Sequence, residues 1–373
     1  MKLDTLAVHA GAAPDKTTGS MAPPIHLSTN FLHGAASEET YGYMYIRDKN
    51  PTQDRLEEAM SALEGGEDAL AFSSGMGATA ALLQNLEPNS HIIIPADVYV
   101  HVRLLAARFL ANWQVQHSIV EMSLPDAVRA AVRPNTKLIW VETPSNPRMT
   151  VTDIASMAKI AHDAGAYLLV DNTFATPILQ RPLDFGADIV LHSTTKYCGG
   201  HSDVQGGCLV FKKRAPLHEQ MYQVRMVLGA VCSPFNSWLI LRGLRTLPCR
   251  MDKHCSNAVA VAEALVADKN VEQVFYPGLE SHPNHDIAVA QMRQPGGMMS
   301  ILVKGGWNEA VRVVSRAKIF QAATSLGGVE SLIEHRASAE GEGSTAPKNL
   351  LRLSIGLEHP DDLIEDLTQA LRL

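Results

Sequence analysis

Short, unbroken apolar runs recur through the first two-thirds of this chain, each closed by polar or glycine residues. The runs Ala69–Phe72, His91–Ile94, Leu138–Val141, Tyr167–Val170, Ile189–Leu191 and Cys208–Phe211 predict buried strands. Between them, helical patterns cover Ala78–Leu86, Val102–Ala111, Leu124–Val132 and Ile154–Ala164. Strands alternating with helices predict an α/β fold whose mostly parallel sheet is covered on both faces. Past about Gly229 the pattern changes. Two helical stretches, Phe235–Leu247 and Met251–Ala267, lead into a smaller α/β unit with strands Val271–Tyr276, Met299–Val303 and Leu350–Ile355 and helices Glu309–Ala317 and Asp361–Leu371. At the other end, Met1 to Lys49 shows little periodicity, and Asn50-Pro51-Thr52 starts a helix over Gln53–Leu63. The expected organisation is an arm of residues 1–49, a large unit of residues 50–231 and a C-terminal unit of residues 232–373. The stretch Arg336–Lys348, rich in Gly, Ser, Ala and Glu, predicts a mobile loop.

Composition narrows the partners. The chain has 373 residues, 46% of them apolar and 19% charged, with a net charge of -7; this suits a globular enzyme and excludes a disordered chain. No basic block is present to track a phosphate backbone, so nucleic acid is not an expected partner. Five scattered cysteines form no C-x-x-C pair, as in a reducing cytoplasm. No apolar run approaches a membrane span and no signal-like segment opens the chain, so a cytoplasmic protein without a membrane partner is expected. The histidines His282 and His285, separated by Pro283, predict a loop or cap in place of a metal site.

The polar residues that close the strands carry the chemistry. In an open α/β sheet, ligands sit outside the carboxyl ends of the strands. There the sequence sets Ser73-Ser74-Gly75-Met76-Gly77, then Asp97 and Tyr99, Glu142 to Pro147, Asp171-Asn172-Thr173, and His192 to Lys196. Ser74 to Gly77 place a glycine turn on a helix N-terminus, suited to a phosphate, although tight packing explains many such turns. Lys196, flanked by the hydroxyls of Ser193 and Thr195 and followed by Gly199-Gly200, is either a loop lysine reaching water or a desolvated amine able to attack a carbonyl. Asp171 can serve as metal ligand, general base, helix cap or partner for a cation. A lysine plus a phosphate cradle selects the last, because pyridoxal phosphate (PLP) needs an amine for its aldehyde, an acid for its pyridinium nitrogen and a phosphate site. Tyr99 can stack on the ring and transfer a proton. Arg352, opposite apolar neighbours in Leu351-Arg352-Leu353, either faces water or grips a substrate carboxylate.

Taken together, these segments resemble the Cys/Met-metabolism family of PLP enzymes, which includes cystathionine γ-synthase, cystathionine γ- and β-lyases, methionine γ-lyase and homoserine sulfhydrylases. The similarity is carried by Tyr45-Ile46-Arg47 with Asn50-Pro51-Thr52, Ser73 to Met76, Glu142 to Pro147, Val170 to Thr173, Ser193 to Asp203, Tyr276 to Leu279, Ser325 to Leu332 and Leu351 to Gly356. The resemblance implies the aspartate-aminotransferase-like fold of PLP-dependent transferases, with a mostly parallel, seven-stranded-type sheet in a large domain and a small C-terminal α/β domain. It implies that Lys196 holds the cofactor aldehyde, that Asp171 pairs with the ring nitrogen and that Tyr99 stacks on the ring. Gly75, Met76, Ser193 and Thr195 would bind the phosphate, joined by Tyr45 and Arg47 from a neighbouring subunit. Arg352 would bind the substrate α-carboxylate, with Ser325 and Asn146 nearby. A homotetramer of two active dimers, small amino-acid substrates and no metal follow from the same likeness. So does a reaction that makes or breaks a Cγ–S bond of cystathionine or a homoserine ester, as in cystathionine γ-synthase or γ-lyase, with β-lyase, methionine γ-lyase or sulfhydrylase activity as the alternative.

Three departures bear on the substrate. Val100-His101 follow Tyr99 where family members commonly carry Gly-Gly. The usual His-Pro-Ala-x-Met-Thr-His becomes His335-Arg336-Ala337-Ser338-Ala339-Glu340-Gly341, and Thr324 stands where several cystathionine-handling members have glutamate. A PLP aminotransferase on a similar fold is a rival that would need a second arginine for a substrate carboxylate. A non-catalytic cofactor-binding protein is another.

Overall fold

The computed structural model describes residues 1–214, 216–342 and 344–372. Its larger sheet contains β1 (Asp68–Phe72), β2 (His91–Pro95), β3 (Gln116–Val120), β4 (Thr136–Glu142), β5 (Tyr167–Asp171), β6 (Ile189–His192) and β7 (Gly207–Phe211). The strand order is β1-β7-β6-β5-β4-β2-β3. Neighbours run parallel from β6 through β5, β4 and β2 to β3, whereas β7 pairs antiparallel with both β1 and β6. The central strands are apolar on both faces because a helical layer covers each side. One core holds Ile93, Ile139, Val141 and Val170, and the other holds Ile92, Ile94, Leu138 and Trp140.

The smaller sheet contains β8 (Val271–Phe275), β9 (Met298–Val303), β10 (Gln321–Ala322), β11 (Leu332–His335) and β12 (Leu350–Ser354), ordered β10-β11-β12-β9-β8. Its pairings are antiparallel except β10 with β11. The helices Trp307–Arg316 and Pro360–Leu371 pack on it through Val313, Leu363 and Leu367. Helix Leu247–Ala267 runs from one core to another, with Met251 and Cys255 in the core that holds Ile93 and with Ala258 and Val261 in the core of the smaller sheet.

The sequence patterns miss three strands. β3 is an edge strand with partly exposed residues, so it has no continuous apolar run to betray it. β10 is two residues long, and β11 follows directly on a glycine-rich turn. Residues Arg336–Glu340, expected as loop, form a short helix whose first residue is buried. The helices Leu3–His9 and Pro216–Leu228 also lie outside the predicted elements.

Two local devices set up the site. Helix Pro51–Glu64 starts at Asn50, whose side chain accepts the Thr52 N–H, and stops at Gly65 in the left-handed region at φ 76°. Helix Gly75–Gln84 starts at Ser74, whose hydroxyl accepts the Gly77 N–H at 2.9 Å. Gly75 is needed there because a Cβ would come within 2.9 Å of the Ser193 Cβ. This close approach brings the helix N-terminus against the segment that carries Lys196.

Candidate active site

The carboxyl ends of β2, β4, β5 and β6 open on a cavity of about 380 Å³. Its walls include Gly75, Met76, Tyr99, Asn146, Asp171, Ser193, Thr195, Lys196, Ser325 and Arg352. The structure therefore gathers every candidate site residue except Tyr45 and Arg47. Those two lie together on the irregular arm, the Arg47 guanidinium carbon 5.2 Å from the centre of the Tyr45 ring. Tyr45 is 42% exposed, and neither side chain lines its own chain's cavity.

Lys196 follows β6 and points towards the smaller sheet, where its Nζ donates to Ser325 Oγ at 2.7 Å. Burial lowers the amine to about 8; the nearby Arg352 pushes the same way and Glu334 opposes. Ser325 sits at φ 78°, a left-handed conformation in which serine is strained by about 1–3 kcal/mol. That turn aims its hydroxyl at Lys196 while its main-chain carbonyl accepts from Arg352 at 2.9 Å. One residue thus joins the amine and the guanidinium.

Arg352 projects from β12 into the cavity and is only 4% exposed, so the solvent-facing reading is set aside. It donates to Asn146 Oδ1 at 3.2 Å and pairs with Glu334 at 2.7 Å. Burial lowers the guanidinium to about 10. It still carries its charge at neutral pH, held in place for a planar anion.

At the other side of the cavity, Asp171 ends β5 directly beside Glu142, its register partner on β4. Burial raises the Asp171 carboxyl against hydrogen bonds from Thr173, one of them from the Thr173 N–H at 3.0 Å. Glu142 is raised further by burial, with the charge of Asp171 adding to it, while its Oε2 accepts the Tyr99 N–H at 2.9 Å. A cation delivered to this corner would relieve two crowded carboxyls. Tyr99 lines the wall, its ring centre 5.0 Å from that of His101.

The third corner suits an anion. Gly75 and Met76 lie in the first helical turn, where N–H groups have no intrahelical acceptor. The Ser193 N–H donates to Thr173 Oγ1 at 2.9 Å, which holds its side chain at the cavity wall. Thr195 Oγ1 is engaged with the backbone of Gly206 at 3.1 and 3.2 Å.

Amine, acid and anion cradle therefore fit an aldehyde-bearing, phosphorylated pyridine. Glu142, Glu334 and Arg336 line the same space and escape a residue-by-residue reading. Glu142 had a usable signal, since it directly follows an apolar strand. Arg336 stands out only as part of the departure from the family pattern and Glu334 not at all, because the strand and helix that aim them are short. His282 does serve a loop, its Nε2 meeting the Met149 carbonyl at 3.0 Å. No helix among the described residues is long and apolar enough to cross a membrane.

Comparison with known proteins agrees with this geometry. Residues 4–372 match the family described as Cys/Met metabolism PLP-dependent enzyme. The chain is 47% identical to a cystathionine gamma-synthase of Mycobacterium tuberculosis, over 98% of this chain and 96% of that protein. It is 43% identical to a cystathionine beta-lyase of Coxiella burnetii, over 99% and 97%. The crystal structure of metB from Corynebacterium glutamicum superposes with a TM-score of 0.97 at 44% identity, covering 100% of this chain and 98% of that one. The chain belongs to the Cys/Met-metabolism family of PLP-dependent enzymes.

Proposed function

We propose that this enzyme makes cystathionine from a homoserine ester and cysteine, forming a Cγ–S bond in place of the Cγ–O bond of the ester, whose acid leaves, as its similarity to cystathionine gamma-synthases suggests. The observation that carries the reading is the bridge at Ser325, which ties a nucleophilic amine to a buried guanidinium across one side chain. An α-amino acid carries its carboxylate one bond from the carbon to be deprotonated, so base and carboxylate receptor must stand close together.

In this reading Arg352 and Asn146 bind the substrate α-carboxylate, and Ser325 holds the Lys196 amine beside Cα. Lys196, neutral above about pH 8, removes the Cα proton and moves a second one at Cβ. The Tyr99 phenol gives a proton to the leaving group. Asp171 holds the pyridine nitrogen, and the Gly75 and Met76 amides with Ser193 and Thr195 hold the phosphate. PLP supplies an aldehyde for the amine and an electron-poor ring that withdraws charge from Cα.

The proposed division of labour is an arm of residues 1–49, a cofactor unit of residues 50–231 and a substrate unit of residues 232–373. A homotetramer of two active dimers in the cytoplasm completes the reading. A shared site is supported by Tyr45 and Arg47, which do not line their own chain's cavity and so suit a neighbour's phosphate site.

The test gives purified holoenzyme a homoserine ester plus cysteine, and separately cystathionine alone. Cystathionine from the first mixture is the expected product. Pyruvate from the second, with no cystathionine made in the first, would overturn the reading in favour of β-elimination. Lys196→Ala should lose both turnover and the visible absorption of the bound cofactor.

A further inference from the structure

We propose that Arg336, Glu340 and Arg103 are positioning residues that set the strength of the Arg352 carboxylate receptor. The proposal rests on the functional reading above for the role of Arg352. From Arg352 a line of alternating charges crosses the cavity wall. Glu334 meets Arg352 at 2.7 Å and also pairs with Arg336 through the same Oε2 oxygen. The other end of the Arg336 guanidinium meets Glu340 at 3.0 Å. Glu340 in turn meets Arg103 at 3.3 Å and accepts from Ser344 Oγ at 2.8 Å, and Arg103 donates to Thr345 Oγ1 at 2.7 Å.

These residues come from separate elements. Arg352 and Glu334 are register partners on β12 and β11. Arg336 and Glu340 are the first and last residues of one short helix, and Arg103 lies on helix Val100–Arg108, which begins just after Tyr99. Arg336 is 5% exposed, so its charge is held by its neighbours and little by water. It stands in the 335–341 stretch where this sequence departs from the family pattern, as does Glu340.

Three guanidiniums alternate with two carboxylates, which leaves one positive charge over. A substrate α-carboxylate at Arg352 completes the alternation. The shared Glu334 oxygen makes the strength of that site adjustable. While Arg336 draws on Glu334, Arg352 keeps charge to offer. Without Arg336, Glu334 belongs to Arg352 alone and neutralises it; without the charge of Glu340, Arg336 draws harder on Glu334 and leaves Arg352 freer.

The test titrates holoenzyme with L-norvaline, which has a carboxylate and no leaving group, and with L-norvalinamide, which lacks the carboxylate. Binding is read from the visible absorption of the bound cofactor. Arg336→Met should weaken norvaline by about tenfold or more, whereas Glu340→Gln should tighten it by about two- to threefold. Norvalinamide should change by less than about twofold, and Arg336→Lys should restore part of the loss. With true substrate the loss should fall on KM more than on kcat. Equal weakening of both probes by Arg336→Met, no weakening by it, or no tightening of norvaline in Glu340→Gln overturns the proposal. Glu340→Gln decides the matter if Arg336→Met does not fold. A wild type that binds both probes equally overturns the role of Arg352, and this proposal with it. Preference for the carboxylate in wild type with no selective change in the variants overturns the positioning role alone.

Discussion

At the scale of single residues, Lys196 is governed by where its amine lies. Burial brings it from 10.5 to about 8, so the neutral form that attacks an aldehyde grows as pH rises through about 8. Apoenzyme mixed with PLP should therefore regain visible absorption faster as pH rises, with a midpoint near 8; a midpoint near that of a free lysine would refute the lowered value. The sign carries into stability. Between about pH 8 and 10.5 the unfolded chain holds a proton that the folded amine has lost, so this group makes apoenzyme more stable as pH rises there. Asp171 and Glu142 act in the opposite sense. Their raised carboxyls favour the protonated form in the fold, and their ionisation destabilises apoenzyme above the ordinary carboxylate range. Asp171→Asn should thus leave apoenzyme at least as heat-stable as wild type while lowering kcat of the holoenzyme by about 100-fold or more. Thermal unfolding of apoenzyme and turnover of holoenzyme check the two halves separately.

At the scale of elements, the anion corner depends on one helix start. The Ser74 hydroxyl caps Gly77, and Gly75 lets the turn approach Ser193. Ser74→Ala should cost about 1 kcal/mol in denaturant unfolding and loosen PLP, measured by dialysis against PLP-free buffer. Gly75→Ala should release the cofactor more readily, because its new Cβ must push Ser193 away. This helix, its serine and its glycines were legible in the sequence, as were the apolar central strands, whose double burial leaves no polar alternation. β3 and β11 were not legible. An edge strand can be polar on both faces, and β11, with Glu334 and His335 as half of its four residues, shows neither an apolar run nor a period. The helix Arg336–Glu340 was hidden for a related reason, since its Arg and Glu residues are buried only because they neutralise one another.

For the whole molecule, the arm raises the question of a shared site. If Tyr45 and Arg47 complete the phosphate site of a neighbour, two defective variants should complement each other. Arg47→Ala should hold PLP weakly and Lys196→Ala should be inert. Unfolded together and refolded as a mixture, they should regain about a quarter of wild-type activity, since half of randomly paired dimers are mixed and each holds one intact site. Activity no higher than the average of the two variants would show that each chain builds its site alone. The two sheets also meet at the cavity. Lys196 comes from the larger and Arg352 from the smaller, and Ser325 links them.

The sequence by itself determined which chemical groups stand at the strand ends. An apolar run fixes a strand, a strand fixes its carboxyl end, and in a parallel sheet those ends converge. Lys196, Asp171, Tyr99 and the Gly75 turn were therefore placed by local pattern and the direction of the chain. Tertiary structure alone decided that Arg352 faces the cavity and that Ser325 joins it to Lys196. It also decided that the 335–341 stretch folds into a line of paired charges. Those outcomes depend on burial and on contacts between residues far apart in sequence, such as Lys196 with Ser325 and Arg103 with Glu340. No local period encodes such contacts, because the energy of a buried charge is set by its neighbours in space.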